Sequence, residues 1–169
     1  MELSPDLTDL LRSLSDAGAR FLIVGAHAVA YHTEPRYTKD LDVWVEPTAE
    51  NAARVWGALA RFGAPLKNVQ VADFATPQLV YQVGIEPNRV DLMMGIDGVT
   101  FPVAWRNRVR TTYAGIPVCL LGRNDLIRAK KASGRPRDLE DIARLRQGRA
   151  RGGGRRRRTP SAPRRRRAR

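Results

Sequence analysis

The chain has 169 residues, 43% hydrophobic and 28% charged, with one cysteine and a formal net charge of +13 at pH 7. That length supports one compact domain with a real core, and a lone Cys119 inside the apolar run PVCLL excludes an internal disulfide and reads as a small core residue. The segment from Arg149 to Arg169 carries eleven arginines and no acid, so the first 148 residues are near +2 and any argument from charge to nucleic acid rests on the tail.

The N-terminus, MELSPDLTDLL, lacks the basic and apolar regions of a signal peptide, and the run Phe21 to Tyr31 is about half of a membrane span. The chain therefore reads as soluble and cytoplasmic, with no membrane partner. Leu3, Leu7, Leu10, Leu11 and Leu14 recur at helical spacing behind Ser4-Pro5, a capping residue followed by proline at the first helical position, and Gly18 stops the helix. Phe21 to Val24 predict a short buried strand ending at Gly25, after which AHAVAYH predicts a second helix entered through glycine.

Leu41 to Val45 form the next predicted strand, which Glu46-Pro47 ends. Thr48 can cap a third helix whose stripe is Ala52, Val55, Trp56, Leu59 and Phe62, with Gly63 and Pro65 beyond it. Strands within Gln78–Ile85 and Arg89–Met94 flank Glu86-Pro87-Asn88 and predict a hairpin. Val109–Tyr113 and Val118–Leu121 are weaker strand candidates around Ala114-Gly115-Ile116-Pro117, and helices over Asn124–Ser133 and Pro136–Gln147 follow, with Gly134 between them. The order predicts an α/β (α+β) domain over residues 1–147, a mixed β-sheet with flanking helices. Residues 148–169 lack apolar periodicity and predict a disordered Arg-rich tail.

One stretch concentrates chemistry: Arg36-Tyr37-Thr38-Lys39-Asp40-Leu41-Asp42. Strand side chains alternate, so Asp40 and Asp42 share one face while Leu41, Val43 and Val45 take the other. Carboxylates about 7 Å apart along a strand repel unless a cation sits between them. A divalent metal is the usual solution: magnesium prefers oxygen ligands, and two ions about 3.5–4 Å apart can clamp both oxygens of a phosphoryl transfer. An isolated Asp-x-Asp is as readily a solvated strand start, but Asp91 repeats the pattern opposite Val90 and Leu92 and supplies a third carboxylate. Gly25 and Ala26, where strand meets helix, suggest a phosphate seat of backbone amides. Arg36 and Lys39 could neutralise a triphosphate, or be solvated loop charges. His27 and His32 could line a cleft, although a lone histidine is more often packed or exposed, and neither has metal-ligand spacing.

Gly25-Ala26, Arg36-x-Thr38-Lys39-Asp40-Leu41-Asp42 and Val90-Asp91-Leu92 together resemble the nucleotidyltransferase superfamily with the polymerase-beta-like fold, and most closely its small prokaryotic, abortive-infection toxin-like members. The segment DLIRAKKASGRPRDLEDIARL, Asp125 to Leu145, is similar to the C-terminal segment of many such proteins, so the resemblance spans Phe21 to Leu145. It implies that Asp40, Asp42 and Asp91 are catalytic and hold Mg2+ or Mn2+, with Asp91 helping to deprotonate the acceptor. It further implies that Gly25, Ala26, Arg36, Thr38, Lys39 and Lys130 contact the nucleotide and that Asp138 touches nucleotide or acceptor. The partners so implied are a nucleoside triphosphate and an acceptor hydroxyl on RNA or tRNA, a protein or a small molecule. A cognate antitoxin and nucleic acid held by the tail are further candidates. The alternative is a weak or inactive nucleotidyltransferase-fold protein acting as a nucleic-acid-binding or toxin–antitoxin component.

Overall fold

In the computed structural model, residues 4–34, 38, 40–86 and 88–147 are described. Leu3, Pro87 and the expected tail over 148–169 lie outside them. Helix α1, Pro5–Asp16, starts where expected, with Ser4 accepting a hydrogen bond from the Leu7 amide, and it buries Leu7, Leu10, Leu11 and Leu14. Strand β1, Phe21–Ile23, leads through Val24 into α2, Gly25–His32. Strand β2, Asp40–Val45, precedes α3, Ala49–Phe62, whose N-cap is Thr48 and whose C-cap is a left-handed Gly63. A 3-10 turn over Val71–Ala75 then leads to the hairpin of β3, Val80–Val83, and β4, Arg89–Met93.

Helix α4, Phe101–Arg106, is an element the periodicity did not predict: six residues beginning Phe-Pro are too short to show a repeat. It is anchored by Phe101, edge-on to the buried Trp44 ring at 5.1 Å. Strands β5, Val109–Tyr113, and β6, Ile116–Leu120, form a second hairpin. Its turn is only Ala114-Gly115, both at positive φ (49° and 78°), which suits a two-residue connection. Ile116 and Pro117, expected in the turn, therefore belong to β6, and Pro117 is tolerated because β1 pairs with that strand only further along, at Leu120. Helices α5, Arg123–Ser133, and α6, Pro136–Gln147, close the described chain.

The six strands form one mixed sheet in the order β3-β4-β2-β1-β6-β5. Parallel pairs β2/β4 and β1/β6 are joined by antiparallel β1/β2, with an antiparallel hairpin at each edge. The core runs through Leu22, Ile23, Leu41, Val43, Trp44, Val45, Leu92 and Leu120 of the sheet, together with the apolar stripes of α1 and α3. Asn51 on α3 is a buried polar clamp. Its amide donates to the carbonyls of Arg20 and Glu46, both at 3.0 Å, and its oxygen accepts from the Arg20 amide at 2.7 Å, tying the outer ends of β1 and β2 to the helix. Among the described residues no helix is long and apolar enough to cross a membrane.

Candidate active site

Strand β2 alternates as its sequence requires: Leu41, Val43 and Val45 are fully buried, while Asp40 and Asp42 are partly open on the other face. The parallel pairing with β4 adds what alternation cannot, because it sets Asp42 beside Asp91 and Asp40 beside Arg89. Residues paired in register share a face, so the three carboxylates stand on one side of the sheet, with Arg89 completing the quartet.

Asp42 is the most constrained of them. Gly25 opens α2 at φ +57°, and a Cβ there would lie 1.8 Å from Oδ2 of Asp42. Only glycine lets the carboxylate settle onto the helix entrance. The Ala26 amide, one of the groups expected to be free for phosphate, donates to Asp42. Burial pushes the Asp42 carboxyl up to about 6, the charges of Asp91 and Asp40 push the same way, and the Ala26 amide and Lys130 oppose them.

Asp40 and Asp91 have found a cation. Nη2 of Arg89 donates to Oδ2 of Asp40 at 2.7 Å, and its Nε lies 3.2 Å from Oδ1 of Asp91, an ion pair whose N–H is not aimed as a hydrogen bond. A second contact, Nη2 to Oδ2 of Asp91, is 3.4 Å. The guanidinium thus stands between the two carboxylates, and among the described residues no three His, Cys, Asp or Glu side chains are gathered as a metal would gather them. The donor set nevertheless suits a hard cation in kind: it is all carboxylate oxygen, and the buried Oδ1 of Asp40 has no hydrogen-bond partner among the described residues.

Asp42 and Gly25 open into a cleft of about 520 Å3 that Lys130, Ser133, Arg135 and Asp138 line from the opposite side. Lys130 of α5 is held by two carboxylates of α6, Oδ1 of Asp138 and Oδ2 of Asp141, each at 2.8 Å. Burial raises the Asp138 carboxyl, but the hydrogen bond and charge of Lys130, with help from Ser133 and the Arg135 amide, bring it below the ordinary range. Thr38 turns its hydroxyl to the Asp40 carbonyl at 3.4 Å. Arg36 and Lys39 lie outside the described residues.

Both histidines are packed. His27 is buried against Tyr113, with ring centroids 6.4 Å apart, and burial depresses its pKa to about 4. Nε2 of His32 lies 2.9 Å from the Leu121 carbonyl, joining α2 to the residue after β6. Sequence reasoning missed Arg89 and Asp141. Each had a readable signal, since Arg89 lies two residues before Asp91 on the same strand face and Asp141 lies three after Asp138 on one helix face. A separate hollow of about 340 Å3, walled by Leu7, Leu10, Phe62 and Val83, contains none of the converging carboxylates.

Residues 4–157 match a family described as "Nucleotidyl transferase of unknown function (DUF2204)". No curated protein matches the chain significantly. Among solved structures, the fold is similar to that of the lincosamide antibiotic adenylyltransferase LnuA, lincomycin-bound, with a TM-score of 0.55 at 16% identity over 86% of this chain and 97% of that one. It is also similar to TM1012 of Thermotoga maritima, a protein assigned as a nucleotidyltransferase, with a TM-score of 0.54 at 15% identity over 86% and 95% of the two chains. The solution structure of the antibiotic-resistance factor ANT(2'')-Ia aligns with a TM-score of 0.53 at 13% identity over 84% of this chain and 81% of that one. At such identities these likenesses establish the fold, and it is the fold expected from the resemblance.

Proposed function

Because the chain belongs to the nucleotidyl transferase family matched by residues 4–157, we propose that it moves a nucleoside monophosphate from a nucleoside triphosphate to an acceptor hydroxyl, releasing pyrophosphate. The observation that carries this reading is the register of β2 on β4, which sets Asp42 against Asp91 with Asp40 two residues along the same face. Asp40, Asp42 and Asp91 would hold Mg2+ or Mn2+. When bound, the metal would neutralise phosphate charge and polarise the phosphoryl group under attack.

The protein's own part is positioning and charge complementarity. Gly25 and Ala26 form the floor on which the phosphates would lie, close against Asp42 because no side chain intervenes. Lys130, fixed between Asp138 and Asp141, presents a cation across the cleft from Asp42 and would meet the phosphates there. We assign Arg36, Thr38 and Lys39 to the same phosphates, and Asp138 to holding Lys130 in place. Asp91 would accept the acceptor's proton, as a carboxylate beside the other two.

A small-molecule acceptor is favoured over RNA, tRNA or protein, since about 520 Å3 is the size of a small-ligand cleft, one of the similar folds is a lincosamide antibiotic adenylyltransferase, and another, the antibiotic-resistance factor ANT(2'')-Ia, is also solved in complex with adenylyl-2''-tobramycin. The reading as a nucleic-acid-binding component rests on the arginine tail, outside the described residues. The test is incubation with magnesium and each labelled nucleoside triphosphate over a panel of hydroxylated acceptors. Pyrophosphate release should depend on metal and fall by about 100-fold or more in Asp42→Asn. Equal release by parent and variant would remove the assigned site.

A further inference from the structure

Arg89 is a residue the proposed chemistry does not use, yet it pairs with three carboxylates, Asp40, Asp91 and Glu86. It stands opposite Asp40 in the β2/β4 register and two residues before Asp91 on its own strand, so the sheet aims it at both carboxylates. Its fork reaches Asp40 at 2.7 Å and Asp91 at 3.2 Å, and its third nitrogen, Nη1, lies 3.6 Å from Oε1 of Glu86 at the outer end of the hairpin. The partners grade outward in exposure: the Asp91 side chain is 13% exposed, Asp40 28%, Arg89 itself 30% and Glu86 49%. The guanidinium thus already reaches an outer carboxylate through the one nitrogen that the inner pair does not use.

We propose that Arg89 is the resident counter-cation of the carboxylate group: it bridges Asp40 and Asp91 while no divalent metal is bound and swings outward to Glu86 when metal enters. The inference rests on the metal reading above. Three acids on one sheet face repel one another, and without a cation the strand pairing that gathers them is opposed by their charge. A guanidinium supplies that cation from within the chain, in a planar fork that spans two carboxylates where a lysine would reach one. Its cost falls on metal affinity, because the ion must displace it. This accounts for an all-carboxylate set that is nonetheless not gathered for a metal.

The experiment measures Mn2+ binding to the full chain without nucleotide, by electron paramagnetic resonance and calorimetry, in the parent, Arg89→Met, Arg89→Lys and Asp42→Asn. Arg89→Met should bind Mn2+ about tenfold more tightly than the parent or better, with Arg89→Lys between them, and Asp42→Asn should abolish the site. Metal-free Arg89→Met should melt below the parent and recover on adding Mn2+. A merely structural arginine would lower the melting temperature with no gain in affinity. Should Arg89→Met not fold without metal, Arg89→Lys carries the comparison. If the parent binds Mn2+ in an Asp42-dependent way and the Arg89 variants bind it no better, the counter-cation role is wrong and the metal reading stands. If no protein in the set shows Asp42-dependent Mn2+ binding, even with a nucleoside triphosphate added, the metal reading falls and this role with it.

Discussion

Gly25→Ala is the sharpest perturbation this site allows, because it adds one carbon where a carboxylate already lies. Gly25 sits at φ +57°, where a Cβ costs roughly 1–2 kcal/mol, of which about 0.4–1 kcal/mol is returned by the stiffer unfolded chain. The larger effect is contact: the new carbon would be 1.8 Å from Oδ2 and 2.7 Å from Cγ of Asp42, so the side chain must rotate away. Leaving, it gives up the Ala26 amide, a charged hydrogen bond of about 1.5–3 kcal/mol, although reaching water recovers some of its desolvation. The net loss should be about 3 kcal/mol by urea denaturation at neutral pH. Asp42→Ala beside it removes Oδ2 and Cγ and leaves only a tight Cβ contact at 3.0 Å, so in Gly25→Ala/Asp42→Ala the φ cost and a small residual strain should remain, a coupling of about 2 kcal/mol. Additive single and double variants would show that the new carbon never meets Asp42, and the glycine argument would be refuted.

Other outcomes follow from neighbouring features. His27 is depressed to about 4 by burial, so its contribution is complete above its unfolded pKa of 6.5 and is lost as pH falls through 4, about 3 kcal/mol in all. Relative to the parent, His27→Leu should therefore gain stability steadily from pH 6.5 down to 4; a difference independent of pH would mean the imidazole is not buried neutral. The comparison is made against the parent because Asp42, raised to about 6, acts with the opposite sign in the same window. Lys130→Met leaves Asp138 and Asp141 without their shared ammonium and should cost about 3 kcal/mol in urea melts, with Asp138→Asn costing less; a change under about 0.5 kcal/mol would show the pairing to be a surface one. Asn51→Ala should lose about 2–3 kcal/mol and speed amide exchange at Arg20, and unchanged exchange would dismiss the clamp.

Much of the architecture was legible because it is local. The leucines of α1, the stripe of α3 and the glycine stop after each declare themselves at 3.6-residue spacing, and the alternation of Asp40, Leu41, Asp42 and Val43 declares a strand with an acidic face. The misses were short or conformational: α4 is too brief to show a period, and the β5–β6 turn is two residues long because Ala114 accepts positive φ, which composition does not announce.

The chain alone therefore decided which residues are acidic, which face of each strand they take and where the backbone must bend, since those follow from neighbours within a few positions. It could not decide which strands lie side by side, because that is settled by pairing among segments about fifty residues apart under the demand that every apolar face be covered. The fold chose β4 as the parallel partner of β2, in the register that brings Asp91 to Asp42 and Arg89 to Asp40. It also folded α6 back so that Asp141 joins Asp138 on Lys130. Whether a row of acids becomes a repulsive patch or a cation site depends on separations of a few ångströms between remote positions, and only the assembled sheet sets those.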